Sequence, residues 1–483
     1  MAIMGGEIRF LLNGAPRKVG SLPPTTTVLD YLRGVERACG TKEGCAEGDC
    51  GACTVVIGEP SAGSIGWRAI NSCITFLPQI DGKALLTVEG LAAVPSALHP
   101  VQQALVENDA SQCGFCTPGF VMALFAFQHG GEDAADDAVH EALAGNLCRC
   151  TGYRPIIAAA REIAGTPDRF DAAGPALRAA LAPLRDSEDI VLEQNGERLF
   201  APASLDRLLE LRAQHPEAHL LAGGTDLVLL VTKEYRSLGK IILVTRVKEL
   251  RDIAIADDAV TIGAAATYTD ALPAIERTWP SLAQLVKRLG SRQIRNLGTI
   301  GGNIANASPI GDMPPALIAL GATLCLRSRS GRREMPIEDF FLDYRKTALA
   351  PDEIVEAVRI PLPHPGQLFR TDKIAKRWDQ DISAVCSAYN LTIDDGRIAD
   401  ARIAYGGMAA TPRRALSAER ALIGRAWSEA ALEAAVAALG EDFHPIGDWR
   451  ASASYRREVA GNLLRRFWLA TMRSDLPLDV MAL

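Results

Sequence analysis

Eight of the chain's eleven cysteines fall into two quartets. The first reads Cys45-x4-Cys50-x2-Cys53, with Cys73 after nineteen intervening residues, and the second reads Cys113-x2-Cys116 followed by Cys148-x-Cys150. The first spacing is that of a loop giving three thiolates to a [2Fe–2S] core and taking the fourth from a later segment. Zinc sites usually combine two C-x2–4-C knuckles, and neither quartet is such a pair. Residues MAIMGGEIRF lack the pattern of a signal peptide, so a reducing cytoplasm is the expected compartment and disulfides are not. The other thiols, Cys39, Cys325 and Cys386, have no partner at ligand spacing. Cys325 and Cys386 sit in strand-like apolar runs, which predicts buried, inert thiols.

A loop around a small inorganic core must come close to it and turn amide N–H groups toward its sulfurs. Glycine permits both, and Gly44, Gly48 and Gly51 interleave with the first ligands. In the second quartet, Cys113 and Cys116 precede Pro118, and Cys148 and Cys150 precede Pro155. Proline suits the first turn of a helix, and a helix N-terminus favours an anionic group.

At 483 residues, three or four domains are expected. With 48% hydrophobic and 23% charged residues and a net charge of −7, the composition is that of a soluble globular protein. No basic stripe points to nucleic acid, and no apolar run reaches membrane-spanning length. The predicted fold class is multidomain α+β.

Residues 1–92 are expected to form a ferredoxin-like β-grasp [2Fe–2S] domain. It would open with a hairpin, Glu7–Leu12 and Arg17–Gly20 about the turn Asn13-Gly14, followed by a helix from Thr27 and strands at Thr54–Ile57 and Ala84–Val88. Residues 93–165 are expected to form a four-helix [2Fe–2S] domain, with helices at Leu98–Asn108, Gly119–Gln128, Asp136–Ala144 and Pro155–Ile163. The Gly- and Pro-interrupted stretch 166–188 reads as a linker. Residues 189–367 alternate strands and helices, and 368–483 read as an α+β C-terminal domain.

The third region carries two glycine loops, Leu221-Ala222-Gly223-Gly224-Thr225-Asp226 and Thr299-Ile300-Gly301-Gly302-Asn303. Neither is a G-x-G-x-x-G or Walker A motif. Each offers consecutive amides without a Cβ in the way, a nest able to hold a pyrophosphate. Thr225, Thr299 and Asn303 add side-chain donors. A pair of one-electron centres needs a two-electron partner, and a flavin converts between the two regimes.

These motifs together resemble the small, iron–sulfur/FAD subunit of bacterial xanthine dehydrogenases, of the molybdenum hydroxylase family, over essentially the whole chain. Gly40–Val55 is similar to the family's N-terminal cluster motif, and Ser111–Phe120 with Gly145–Tyr153 to its second. Leu220–Leu227, Thr299–Ile304 and Ser308–Asp312 resemble its FAD loops, in a domain of the para-cresol-methylhydroxylase type.

The resemblance implies that Cys113, Cys116, Cys148 and Cys150 hold the cluster nearest a molybdopterin cofactor, with Gln112 touching the pterin of a partner subunit. Cys45, Cys50, Cys53 and Cys73 would hold the cluster next to the flavin. Leu220, Leu221, Ala222, Gly223, Gly224, Thr225, Asp226, Leu227, Thr299, Ile300, Gly301, Gly302, Asn303, Asp312, Val355 and Lys373 correspond to FAD contacts. Tyr344 corresponds to a tyrosine beside the nicotinamide site, and Trp378–Ser383 to the loop governing NAD access. Leu289 stands where relatives place an aromatic residue beside the flavin ring.

The chain contains no molybdopterin domain and no acidic residue for purine hydroxylation, so the resemblance places the oxidising site on a large partner subunit, in a dimer of heterodimers. Electrons would pass from hypoxanthine or xanthine at that molybdenum centre through both clusters to FAD and then NAD⁺. An aldehyde or N-heterocycle hydroxylase is the nearest alternative, and a stand-alone electron carrier or redox sensor is one of a different class. The seven histidines are scattered along the chain and are expected to be structural or exposed.

Overall fold

A computed structural model describes residues 6–61, 63–94, 97–185, 188–473, 476 and 478. The start of the expected first domain, the end of the last and residues 186–187 of the expected linker lie outside these. The chain divides into two compact units, Met1–Glu249 with Gly290–Gly298, and Leu250–Leu289 with Thr299–Leu483.

The first unit opens on the expected hairpin, Ile8–Leu12 paired with Ala15–Val19. Asn13 and Gly14 both take positive φ (51° and 84°), the conformation a two-residue turn needs to match strand twist. Ala84–Leu86 runs parallel to the first strand and antiparallel to Thr54–Ser61, which pairs in turn with Ser64–Asn71. The result is a mixed five-stranded sheet. Its fifth strand, Ser64–Asn71, is not among the expected ones, although Ile65, Trp67 and Ala69 alternate with Ser64, Gly66 and Arg68 as strand residues do. The predicted helix after Thr27 is short: Thr27 caps Val28–Asp30, and the chain widens into a π-helical turn at Tyr31–Val35.

Four helices follow, Pro100–Glu107, Thr117–Gln128, Asp136–Leu143 and Arg154–Ile163. Thr117–Gln128 is apolar on nearly every side and is buried accordingly. The stretch read as a linker is largely a helix, Arg169–Leu181, which keeps Pro175 within it. Asp168 caps it, and Phe170 packs edge-on against Phe125 and Trp67, with ring centroids 5.0 and 5.8 Å apart. Burial of those rings outweighs the local Gly and Pro signals. This unit ends with a four-stranded sheet containing Ile190–Gln194, Glu197–Ala201, Lys240–Leu243 and His219–Leu221.

The second unit holds a five-stranded sheet in which Ile354–Pro361 lies between Ala259–Gly263 and Thr323–Ser328. Helices such as Tyr268–Thr278, Pro280–Lys287 and Met313–Ala319 share its core. A four-stranded antiparallel sheet is built on Gln367–Ile374, Val385–Asp394 and Arg397–Gly406. Its core includes the helices Glu429–Asp442 and Ala453–Met472. Among the described residues no helix is long and apolar enough to cross a membrane.

Candidate functional site: two thiol quartets and the glycine loops

The fold gathers each cysteine quartet. The Cys53 and Cys73 sulfurs lie 3.2 Å apart, and Cys45 interacts with both Cys50 and Cys73. Three amides, those of Glu47, Asp49 and Cys50, each point at the Cys45 sulfur from 3.4 Å. Hydrogen bonding from Cys50, then Cys73, holds the Cys45 thiol far below its usual range. The loop reaches this shape through positive φ at Ala46, Gly48 and Gly51. A Cβ on Gly44 would stand 2.7 Å from the Cys50 sulfur, and one on Gly51 only 2.1 Å from the Gly145 carbonyl.

In the second quartet Cys113 engages Cys150, and Cys116 engages Cys148 and Cys113. Burial, helped by Cys148, pushes the Cys116 thiol up to about 12. Partial burial also pushes Cys148 up, but hydrogen bonds from the Thr151 hydroxyl and amide outweigh it and leave this thiol below its ordinary value. Four converging sulfurs ringed by N–H donors suit an anionic iron–sulfur core. Gln112 is exposed beside Cys113, as are Phe115 and Leu147.

The two cysteine loops touch. Leu147 N–H donates to the Cys50 carbonyl at 3.0 Å. Buried Asn146 donates to the Gly51 carbonyl (3.0 Å) and the Thr54 hydroxyl (3.2 Å), and accepts from Gln293 at 2.8 Å.

The first glycine loop rests on the sheet domain that carries Cys45. Gln79 donates to the carbonyls of Ala222 (3.1 Å) and Gly223 (3.2 Å) and accepts the Phe76 amide at 2.8 Å. A Cβ on Gly223 would fall 1.9 Å from the Leu297 carbonyl, and Gly224 has a φ of +81°. Leu221 is buried, Leu220, Ala222, Thr225 and Leu227 are half-buried, and Asp226 is exposed. Lys233 donates to the Cys45 carbonyl at 3.0 Å, a link that sequence spacing does not reveal.

In the second unit, Thr299 caps the short helix Ile300–Ala305 by accepting from Gly302 N–H at 3.1 Å. Gly301 lies so close to Ala264 that a Cβ would meet the alanine's own Cβ at 2.4 Å. The Asn303 Oδ1 is buried without a hydrogen-bond partner, as is the Tyr268 hydroxyl. Asp312 and Lys373, far apart in sequence, form a buried ion pair of 2.7 Å. Ser383 donates to the other Asp312 oxygen at 2.5 Å, and Lys373 also donates to the Arg288 carbonyl at 3.1 Å. Arg288 lies over the Trp378 ring, 4.1 Å from its centroid. The orphaned Asn303 and Tyr268 oxygens of the second unit fit a polar ligand such as FAD. Val355 is buried in its strand, and half-buried Leu289 packs on the apolar core. Tyr344 is 61% exposed at the tip of a tight hairpin. Cys325 and Cys386 are buried, while Cys39 is exposed.

The histidines are not all scattered in space. His99 and His129 converge on one oxygen of Asp168, at 2.5 and 2.9 Å. Sequence separation concealed this cluster, whose acidic partner lies in the stretch read as a linker.

Family models match in chain order: a 2Fe-2S iron–sulfur cluster binding domain (residues 10–77), a [2Fe-2S] binding domain (87–161), an FAD binding domain in molybdopterin dehydrogenase (194–363) and a CO dehydrogenase flavoprotein C-terminal domain (370–471). The chain is therefore an iron–sulfur flavoprotein. Xanthine dehydrogenase of Emericella nidulans is 34% identical over 98% of this chain and 40% of its own length. The chain thus spans about two fifths of the curated relatives it matches. A carbon monoxide dehydrogenase from Hydrogenophaga pseudoflava, lacking the Mo-pyranopterin moiety of its cofactor, is 32% identical, with a TM-score of 0.54, over 57% of this chain and 96% of that one. Quinoline 2-oxidoreductase from Pseudomonas putida 86 is 28% identical, with a TM-score of 0.52, over 56% of this chain and 94% of that one. The chain belongs to the molybdenum hydroxylase family, as its iron–sulfur/FAD part.

Proposed function

We propose that this chain is the electron-transfer subunit of a xanthine dehydrogenase, taking electrons from a molybdopterin centre on a large partner subunit and delivering them to NAD⁺. The observation that carries this reading is the pair of thiol quartets joined by the Cys50–Leu147 hydrogen bond, on one chain with the FAD-type domain. The match to xanthine dehydrogenase runs through 98% of the chain, clusters and flavin domain together, whereas that to the carbon monoxide dehydrogenase chain takes in 57%.

When bound, two [2Fe–2S] clusters pass single electrons, and FAD gathers two for hydride transfer. In this reading Cys45, Cys50, Cys53 and Cys73 hold one cluster and Cys113, Cys116, Cys148 and Cys150 the other. The first cysteine loop turns its amides toward sulfur, so little reorganisation accompanies a change of charge. Leu220–Leu227 and Thr299–Asn303 offer amides to FAD, with Leu289 and Val355 as apolar contacts. Lys373, held by Asp312, brings a cation that would favour reduced, anionic flavin. Tyr344 and Trp378–Ser383 would border the NAD site, and exposed Gln112 would meet the pterin of the partner. A cytoplasmic dimer of heterodimers is the proposed assembly.

Anaerobic addition of NADH to the cofactor-loaded chain tests the NAD assignment. Flavin bleaching with the appearance of two [2Fe–2S] EPR signals supports it. Reduction by dithionite but not NADH overturns it. The likeness to quinoline 2-oxidoreductase favours an N-heterocycle as the second substrate reading. Turnover of xanthine against quinoline by the complex with its large subunit separates the two.

A further inference from the structure

The second quartet has a side-chain hydroxyl at one of its sulfurs. The Thr151 hydroxyl oxygen lies 3.2 Å from the Cys148 sulfur, and the Thr151 amide donates to the same sulfur at 3.4 Å. Two further bonds orient that hydroxyl. Tyr153 N–H donates to the Thr151 oxygen at 3.2 Å, and Cys148 N–H donates to the Tyr153 phenol oxygen at 2.9 Å. Tyr153 takes a left-handed φ of 69°, which a tyrosine keeps only where its surroundings over-determine it. Here the bond from Cys148 and edge-on packing against Phe120, with centroids 6.3 Å apart, hold it.

We propose that the Thr151 hydroxyl donates a hydrogen bond to the Cys148 sulfur and thereby raises the reduction potential of the second cluster independently of the first. The inference rests on the reading of this quartet as [2Fe–2S] ligands. A metal-bound thiolate carries no proton, so in this pair the hydroxyl must be the donor. Tyr153 N–H occupies one lone pair of that oxygen, leaving its hydrogen free for the sulfur. Reduction adds one electron to the cluster, and Thr151 keeps its proton while no bond forms or breaks. A donor at sulfur stabilises the more negative state, and hydrogen bonds to sulfur are a recognised determinant of cluster potential. The amides around Cys45 belong to the backbone and survive any side-chain change. Thr151 therefore offers a control that acts on one cluster and leaves the other as an internal reference.

The test is a redox titration followed by EPR on the full, cofactor-loaded chain carrying Thr151→Val or Thr151→Ser. Thr151→Val should lower the second cluster's midpoint by on the order of tenfold in its reduction equilibrium, about 59 mV for one electron, with the first cluster unmoved. Thr151→Ser, which keeps the hydroxyl, should restore the original value. If Thr151→Val fails to assemble the cluster, Thr151→Ala reads the same difference with less bulk. Two intact signals with an unchanged second midpoint would overturn the role of Thr151, as would equal movement of both midpoints. Absence of a second [2Fe–2S] signal from the unsubstituted chain would instead overturn the quartet's assignment, and the inference with it.

Discussion

Leu147 N–H donates to the carbonyl of Cys50 across 3.0 Å. Cys50 belongs to the first quartet, and Leu147 immediately precedes Cys148 of the second. A backbone hydrogen bond therefore joins a cysteine of one quartet to the neighbour of a cysteine in the other. Asn146 holds this junction from inside, bonded to Gly51, Thr54 and Gln293.

Asn146→Ala should remove one of the donors to the Gly51 carbonyl, which still accepts from the Thr54 amide and hydroxyl, and take from the buried Gln293 amide its 2.8 Å acceptor, destabilising the first unit by about 1–3 kcal/mol. Thermal or denaturant unfolding of the loaded chain measures this. Weakened magnetic coupling between the two reduced clusters should accompany it. Unchanged stability would mean that the junction is held by other contacts.

Gly223→Ala should reduce bound FAD several-fold while leaving both cluster signals in place. An added Cβ would collide with the Leu297 carbonyl, a rigid backbone atom, so the loop must shift. Flavin released by acid precipitation, measured against iron content, gives the ratio.

Lys373→Met should cost about 3–5 kcal/mol, because it leaves the buried carboxylate of Asp312 without its counter-charge. The double variant Asp312→Asn with Lys373→Met should recover a substantial part of that loss. A double-mutant cycle in denaturant separates the pair's coupling from the effect of each side chain.

Burial pushes the Asp168 carboxyl up, but hydrogen bonds from His129 and His99 outweigh it and hold its pKa well below the carboxylate range. A depressed folded pKa contributes stability that is fully present above the unfolded value, about 3.9. That contribution is lost as the pH falls from there toward the folded value. Asp168→Asn should therefore flatten the acid limb of the stability curve below about pH 4. Denaturant midpoints measured from pH 7 to pH 3 compare the two proteins.

The cysteine spacing made both quartets legible in the sequence, because ligands to one small core must recur at loop-sized intervals. Helices with clear punctuation were legible too: the helix expected at Gly119–Gln128 is found as Thr117–Gln128, beginning beside its proline. What escaped depended on partners remote in sequence. The helix Arg169–Leu181 is held by Trp67 and Phe125, whose rings outweigh the local signal of Pro175. The convergence of His99, His129 and Asp168 has no periodicity to announce it. Asp312 and Lys373 entered only through family resemblance, and their partners Ser383 and Arg288 carry no sequence mark of that bond. Gln79, which holds the first glycine loop, reads from the sequence as an ordinary polar residue.

The most direct test of the electron-transfer account is metal and sulfide analysis of the purified chain, combined with EPR after stepwise anaerobic reduction. The account predicts about four iron atoms and about as many acid-labile sulfides per chain, with two distinguishable [2Fe–2S] signals. Zinc in place of iron, or two [2Fe–2S] signals that both persist when Cys113 and Cys150 are replaced by serine, would contradict it.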